Sequence, residues 1–179
     1  MHPPASFMDA YRPSLRGHRH MTSAGHYLAA QAGFQVMEAG GNAIDGGVAA
    51  GIVLGVVQSE LVGVAGVAPI IIYLAEEDRV VTISGLGTWP KATDPAFFTR
   101  EYPDSVPEGI LRCVVPAAPA AWIMALERYG TMTFGEIAGA AINMARDGFV
   151  MYALMAELLA GKAEKYSRWP ANAEIYLPG

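Results

Sequence analysis

The fold of this 179-residue chain is decided by residues 40–50, which read GGNAIDGGVAA. Gly40 and Gly41 predict the end of a helix that begins near Ser23, because glycine adopts the positive φ of a helix C-terminus. Asn42 is a typical N-cap, and Asp45 would place its charge in the first turn of a second helix. This second helix is apolar on all sides, so we expect it to be buried all round. The stretch therefore predicts two closely packed helices joined by a sharp turn.

Two apolar runs, Ala43–Val57 and Leu61–Ala75, raise the question of membrane insertion. Each is 15 residues long, shorter than the roughly 20 residues that cross a bilayer. Both contain glycine, and neither is flanked by the lysine or arginine that marks the cytoplasmic side of a membrane segment. These runs therefore indicate buried core segments and no membrane partner.

Strand and helix patterns follow the second apolar run. The β-branched residues of 70–75 and 80–83 flank a charged tip and predict an antiparallel hairpin. A helix is expected from about Pro116 to Tyr129, and a capping box at Thr133 and Glu136 starts another that ends at Gly148. An amphipathic segment covers about Tyr152–Lys165, after which we expect no further element. Helices, a strand pair and more helices favour an α+β fold.

Composition excludes several functional classes. The chain is 53% hydrophobic and only 16% charged, so it is not disordered, and its net charge of −5 argues against a nucleic-acid partner. A single cysteine, Cys113, suits a reducing compartment. The first twenty residues show no apolar core of a signal peptide, so we expect a cytoplasmic location, with a periplasmic one left open.

Few residues suggest chemistry by their pattern. His18, His20 and His26 are too loosely spaced for us to expect a metal site. Cys113 lies in a predicted short strand and is interpreted as a buried structural residue. The segment 63–66, Gly-Val-Ala-Gly, lacks the rest of a phosphate-binding glycine motif. We therefore predict no metal and no cofactor, and the residues alone form no nucleophile–base set.

Residues 40–50 nevertheless resemble the G-G-N-A-x-D-A-A-V-A signature of the gamma-glutamyltranspeptidase family. Three further segments are similar to motifs of that family and come in the same order: 12–23, 129–132 (Tyr-Gly-Thr-Met) and 145–149 (Ala-Arg-Asp-Gly-Phe). Residues 1–20 are rich in proline, arginine and histidine and are expected to form an irregular lead-in, and the resemblance runs from about Arg12 to the C-terminus. Residues 21–179 form the N-terminal portion of a large subunit, an incomplete domain.

The resemblance implies a helix-rich part of the α-β-β-α sandwich of an N-terminal-nucleophile (Ntn) hydrolase. Such an enzyme is made as a precursor that cleaves itself into a large and a small subunit. Cleavage frees a threonine, usually within Thr-His, that attacks amide bonds of γ-glutamyl or related substrates. No threonine here precedes histidine, so the implied catalytic residue lies outside this chain. The implied partners are the rest of the large subunit, the small subunit and a small-molecule amide.

The family's glutamate-binding arginine has no counterpart here. Depending on the alignment of the loop after the hairpin, its position is taken by Leu86 or Gly85, and neither can pair with a carboxylate. We predict that Gly85, Leu86 and Thr88 line a substrate pocket, although the segment also reads as an ordinary strand-exit loop. Gly40, Gly41, Asn42 and Asp45 are predicted to be structural. The alternative function is an inactive paralogue or a non-enzymatic helical binding module.

Overall fold

A computed structural model of the chain describes residues 15–178, so residues 12–14 of the lead-in motif lie outside the described part. Residues 15–26 contain neither helix nor strand. The helices are α1 (Tyr27–Glu38), α2 (Ala43–Val57), α3 (Pro95–Glu101), α4 (Ala118–Tyr129), α5 (Phe134–Ile137), α6 (Gly139–Asp147), α7 (Ala153–Gly161), α8 (Ala163–Tyr166) and α9 (Pro170–Tyr176). The strands are β1 (Ile70–Leu74) and β2 (Arg79–Ile83), and short 3₁₀ turns cover Ala75–Glu77 and Ile110–Arg112.

The two helices on either side of Gly40 pack as predicted. Helix α1 ends at Glu38, Ala39 is its C-cap, and Gly40 follows with a φ of +105°. A Cβ on Gly33 of α1 would lie 2.6 Å from the carbonyl oxygen of Gly46 in α2. The backbones therefore touch at a point where neither helix can carry a side chain. The predicted start at Ser23 is wrong by four residues, because His26 caps α1 by accepting a hydrogen bond from the Leu28 N–H.

Helix α2 is the centre of the core and contacts α1, α4, α5 and α6. Val53 and Val57 are fully buried within it, and Trp122 of α4 belongs to the same cluster. The prediction that α2 is buried on every side is wrong, however. Ala43 and Gly47, one turn apart, are exposed. One stripe of this apolar helix therefore has no cover among the described residues.

The hairpin is confirmed, with antiparallel register from Ile70 opposite Ile83 to Leu74 opposite Arg79. The side chains alternate as the pleat requires. Ile72 and Ile83 face the helices and are buried, whereas Ile71, Tyr73 and Val80 are 60–77% exposed. One face of the hairpin therefore belongs to the core, and the other presents an apolar surface.

The later helices agree with the patterns in part. Helix α4 ends at Gly130 as expected, and Thr133 and Glu136 form the predicted capping box. The helix after it breaks at Ala138 into α5 and α6; Ile137 and Ala141 are buried, whereas Phe134 and Ala145 are exposed. The segment after Tyr152 also divides, at Lys162, into α7 and α8.

Helices α3 and α9 were not predicted. Each begins with proline at its first position, Pro95 and Pro170, where the missing N–H costs nothing. Asp94 also caps α3, because its Oδ1 accepts a hydrogen bond from the Ala96 N–H at 2.9 Å. Both signals can be read from the sequence.

The membrane question is answered for the described part of the chain. None of the helices within residues 15–178 combines the length and the hydropathy that crossing a bilayer requires. The α+β arrangement, helix-rich with one antiparallel hairpin, is the predicted one.

Candidate functional site

Asn42 and Asp45 link the start of α2 to the end of α4. The Asn42 Oδ1 atom accepts hydrogen bonds from the N–H groups of Ile44 and Asp45, at 2.8 and 3.1 Å. Its Nδ2 donates to the carbonyl oxygen of Tyr129 at 2.7 Å. A cap that would otherwise be local is therefore bonded to a residue 87 positions further along the chain.

Asp45 completes this connection from a fully buried position. Its carboxylate accepts hydrogen bonds from the Asn42 N–H at 2.8 Å, the Thr131 N–H at 3.1 Å, the Thr131 hydroxyl at 2.6 Å and the Met132 N–H at 3.2 Å. A Cβ on Gly130 would lie 2.6 Å from Asp45 Oδ1, so glycine is required there. The sequence motifs 40–50 and 129–132 thus form one hydrogen-bonded unit, which we name the Asp45 network (Asn42, Asp45 and residues 129–132).

The electrostatics of the Asp45 network follow from these donors. Burial raises the pKa of Asp45, but the hydrogen bonds from Thr131, Asn42 and Met132 outweigh burial and lower the pKa net. The carboxylate is therefore charged at neutral pH, with its lone pairs engaged. A group held in this way stabilises the fold, and it is a poor general base because its proton affinity is low.

The predicted substrate loop leaves β2 at Gly85. This residue has a φ of +57°, and a Cβ there would lie 2.0 Å from the carbonyl oxygen of Ala68. The Ala68 N–H donates to the Gly85 carbonyl oxygen at 3.0 Å, which extends the hairpin contact by one step. Gly87 is held equally closely, because a Cβ on it would lie 2.4 Å from Val115. The loop is therefore clamped through its glycine backbone.

The side chains of this loop are exposed, although its glycine backbone is closely packed. Leu86 is 58% exposed, Thr88 is exposed, and Trp89 is 68% exposed with its ring 6.2 Å from that of Phe98. Residues 85–89 contain no charged side chain. The surface that they offer is largely apolar, and it has no cation for a carboxylate.

The glycine-containing segment 63–68 packs against the same region. The Gly66 carbonyl oxygen accepts hydrogen bonds from the N–H groups of Ala117 and Ala118, at 2.9 and 3.1 Å, where α4 begins. A carbonyl rather than a ligand thus satisfies these donors. The segment, which lies between α2 and β1 in the chain, thus holds the start of α4 and shows no phosphate-binding geometry.

The histidines and the cysteine occupy separate places. His26 caps α1, His20 Nε2 lies 2.8 Å from Glu38 Oε1, and His18 is exposed. Among residues 15–178, no three potential metal ligands come together. The prediction of a buried Cys113 in a strand is wrong: the residue is exposed and follows the 3₁₀ turn 110–112, where its Sγ lies 3.6 Å from the Gly109 carbonyl oxygen.

A contact that the sequence patterns did not suggest joins Tyr152 to Glu60. The Tyr152 hydroxyl donates to Glu60 Oε1, and its ring lies 5.0 Å from that of His26. Burial and the bond to Glu60 raise the pKa of Tyr152 to about 12. This contact holds the start of α7 against the end of α2, and a separation of 92 residues concealed it from local pattern reading.

Comparison with known proteins places this architecture in a family. Residues 29–179 match the sequence model of the gamma-glutamyltranspeptidase family. The chain is 35% identical to the acylase ACY 1 proenzyme of Pseudomonas sp. strain V22, over 98% of this chain and 33% of that protein. It is 28% identical to the glutathione hydrolase proenzyme of Bacillus subtilis strain 168, over 98% of this chain and 30% of that protein.

A solved structure agrees with these sequence matches. The Helicobacter pylori gamma-glutamyltranspeptidase superposes with a TM-score of 0.81 and 28% identity, over 90% of this chain and 47% of that one. The chain spans about a third of the length of the two curated relatives. Motifs, fold and matched length together show that this chain belongs to the gamma-glutamyltranspeptidase family.

Proposed function

We propose that this chain is the first part of the large subunit of an amidohydrolase or acyltransferase precursor, whose threonine nucleophile lies downstream. The observation that carries the proposal is family membership across residues 29–179 in a chain that spans about a third of its relatives. Both relatives named above are proenzymes. The nucleophile would then belong to the part of the protein that follows.

In this proposal the reaction is acyl transfer from an amide. The freed threonine hydroxyl attacks the carbonyl carbon while the threonine's own α-amino group accepts the proton. A C–O bond forms, the C–N bond breaks, and the proton passes to the leaving amine. Water then hydrolyses the acyl-enzyme, or an amino acid accepts the acyl group. The described residues supply no member of this set, so we expect the isolated chain to be inert.

The role proposed for this chain is to support the catalytic parts. The Asp45 network joins α2 to the end of α4, and the core side chains of both helices pack against the inner face of the hairpin. The apolar outer face of the hairpin would be covered by the remainder of the precursor. This cover also accounts for a chain with so few charged residues.

We further propose that the substrate is an amide other than a classical γ-glutamyl compound, with Gly85, Leu86 and Thr88 in the wall of its pocket. The support is the uncharged loop 85–89 and the position of Gly85, where the Ala68 carbonyl leaves no room for an arginine side chain. The acylase relative favours the same view. Weak or no hydrolysis of γ-glutamyl anilides is expected; turnover typical of classical enzymes would contradict it.

The decisive experiment extends the gene sequence past Gly179 and expresses the whole product. A downstream Thr-His, two fragments after self-cleavage and a new N-terminal threonine would support the proposal. Amide hydrolysis lost on Thr→Ala at that residue would assign the nucleophile. A stop codon soon after Gly179 would instead favour an inactive paralogue or a helical binding module. The cytoplasmic location stays a prediction, which fractionation of the source cells would test.

A further inference from the structure

The cap of α1 depends on a ring nitrogen of His26 that carries no proton. The His26 Nδ1 atom accepts a hydrogen bond from the Leu28 N–H at 3.2 Å, and the residue is only 6% exposed. A ring nitrogen that accepts is unprotonated, so this geometry fixes the neutral form of the imidazole with its hydrogen on Nε2. Protonation would place two N–H groups face to face and leave Leu28 without an acceptor. The cap is therefore compatible with one charge state of His26 only.

The position of His26 at the start of a helix disfavours a positive charge for a second reason. The N–H groups of the first helical turn give this end a partial positive charge, and the first turn of α1 contains no acidic residue to offset it. The His26 carbonyl oxygen accepts hydrogen bonds from the N–H groups of Ala29 and Ala30, at 3.1 Å each. The backbone of the cap therefore stays in place when the ring turns.

An unused acceptor lies beyond the neighbouring ring of Tyr152. The His26 ring is 5.0 Å from the Tyr152 ring, whose hydroxyl donates to Glu60 Oε1. The second carboxylate oxygen, Glu60 Oε2, is buried and receives no hydrogen bond from the described residues. A buried oxygen without a donor is unfavourable, and an imidazolium N–H would supply both a hydrogen bond and the opposite charge.

The surroundings of the His26 ring contain one charged group among those that the structure describes. Tyr27 of α1 stacks on the ring at 4.6 Å, and Tyr152 faces it from the residue before α7. Gln58, the C-cap of α2, packs against the preceding glycine, since a Cβ on Gly25 would lie 2.5 Å from Gln58 Oε1. The phenols keep their protons at neutral and acid pH, which leaves the Glu60 carboxylate as the charge. Between pH 5 and 8, His26 is therefore the group of this cluster that titrates.

We propose that His26 is an acid-sensitive switch at the start of α1. The neutral ring caps the helix; the protonated ring turns away from the Leu28 N–H and pairs with the free oxygen of Glu60. The first turn of α1 then loses the side-chain acceptor of its cap and frays. The switch uses only residues of this chain and requires no catalytic activity, so it stands or falls separately from the proposed amide chemistry.

A second histidine before α1 responds to acid in the opposite direction. His20 Nε2 lies 2.8 Å from Glu38 Oε1, in the last turn of α1, so a proton on His20 strengthens this contact. Acid should therefore loosen the start of α1 while it tightens the contact at the end of the same helix. The two histidines can be separated experimentally for this reason.

Amide hydrogen exchange in the full-length product, at about pH 7.5 and about pH 5, tests the switch through protection factors, which remove the intrinsic effect of pH on exchange. Protection of the Leu28 amide should fall at least about tenfold in acid. In His26→Asn it should change by less than about twofold, because asparagine is a good N-cap and gains no proton. Equal protection at both pH values in the wild type would overturn the inference.

Glu60→Gln tests the partner of the protonated ring. Glutamine keeps an oxygen for the Tyr152 hydroxyl but removes the negative charge that favours the imidazolium. The pH midpoint of the Leu28 response should therefore move down by at least about half a unit. An unmoved midpoint would reject the pairing with Glu60.

The other histidines provide the controls. His18 is exposed, and His18→Asn should show the same acid response at Leu28 as the wild type. His20→Asn should also keep that response, because His20 contacts the far end of α1. A response that persists in His26→Asn and disappears in His20→Asn would assign the acid sensitivity to His20 and overturn the inference.

Discussion

Replacing Asp45 by asparagine should loosen the junction of α2 and α4 without changing its shape. The carboxylate accepts from four donors, and Asn can keep three of them by placing its oxygen at the Oδ2 position, which the Asn42 N–H and both the N–H and the hydroxyl of Thr131 reach. Its amide nitrogen then faces the Met132 N–H, donor to donor. The loss of one hydrogen bond to a charged group costs about 1.5–3 kcal/mol, and an unsatisfied buried donor costs about 1–3 kcal/mol more.

The expected destabilisation is therefore at least about 2.5 kcal/mol, which accelerates amide exchange through local opening about 60-fold or more. The measurement is hydrogen exchange of the α2 amides in the full-length product. Asp147→Asn is the matched control, because Asp147 is exposed and pairs with Arg146 at the surface, where ion pairs contribute little. Exchange in Asp45→Asn within about threefold of the wild type would refute the reasoning.

Four other predictions follow from features described above. The pKa of Asp45 is lowered, so its stabilisation is complete above the unfolded value of about 3.9 and is lost as the pH falls through the lower, folded value. The melting temperatures of wild type and Asp45→Asn should therefore converge as the pH falls below the unfolded value. The pKa of Tyr152 is raised to about 12, so its stabilisation is present below about pH 10 and is lost as the pH rises through 12. In Tyr152→Phe, the fall in melting temperature over this alkaline range should be absent. Gly85→Ala should lower stability by about 1–3 kcal/mol, because its φ is +57° and the Ala68 carbonyl oxygen blocks a Cβ. Gly135→Ala, at a helical glycine with no neighbour near its Cβ, should instead raise stability by about 0.5–1 kcal/mol, and urea unfolding measures both.

Local chemistry could be predicted well from the sequence. Asn42 and Thr133 cap their helices because the side-chain oxygen of each accepts hydrogen bonds from N–H groups of the next two or three residues. Donor and acceptor therefore lie within four consecutive residues, and the local sequence is enough to predict the cap. The hairpin 70–83 follows from β-branched runs on either side of a charged tip in the same way. Such features need no knowledge of the rest of the chain.

Contacts between distant segments could not be predicted in this way. Nothing near Asp45 reveals that its donors come from Thr131 and Met132, and nothing near Tyr152 points to Glu60. Cys113 was misplaced because two valines follow it, and β-branched residues favour strands, whereas the preceding residues form a 3₁₀ turn. The substrate loop 85–89 stays a prediction for a related reason: what a loop faces depends on distant groups, which local patterns do not show.

The Asp45 network also determines the order in which parts of the nascent chain can fold. Asp45 leaves the ribosome long before Met132, its partner 87 residues later. At about 5–20 residues per second, the carboxylate waits roughly 4–17 s for its last donor. During that interval α1 and α2 can associate, but the N-terminal end of α2 must remain hydrated, since an unpaired charge is costly to bury. Two of the four family motifs, residues 40–50 and 129–132, are therefore the early and late halves of a single folding step of the nascent chain.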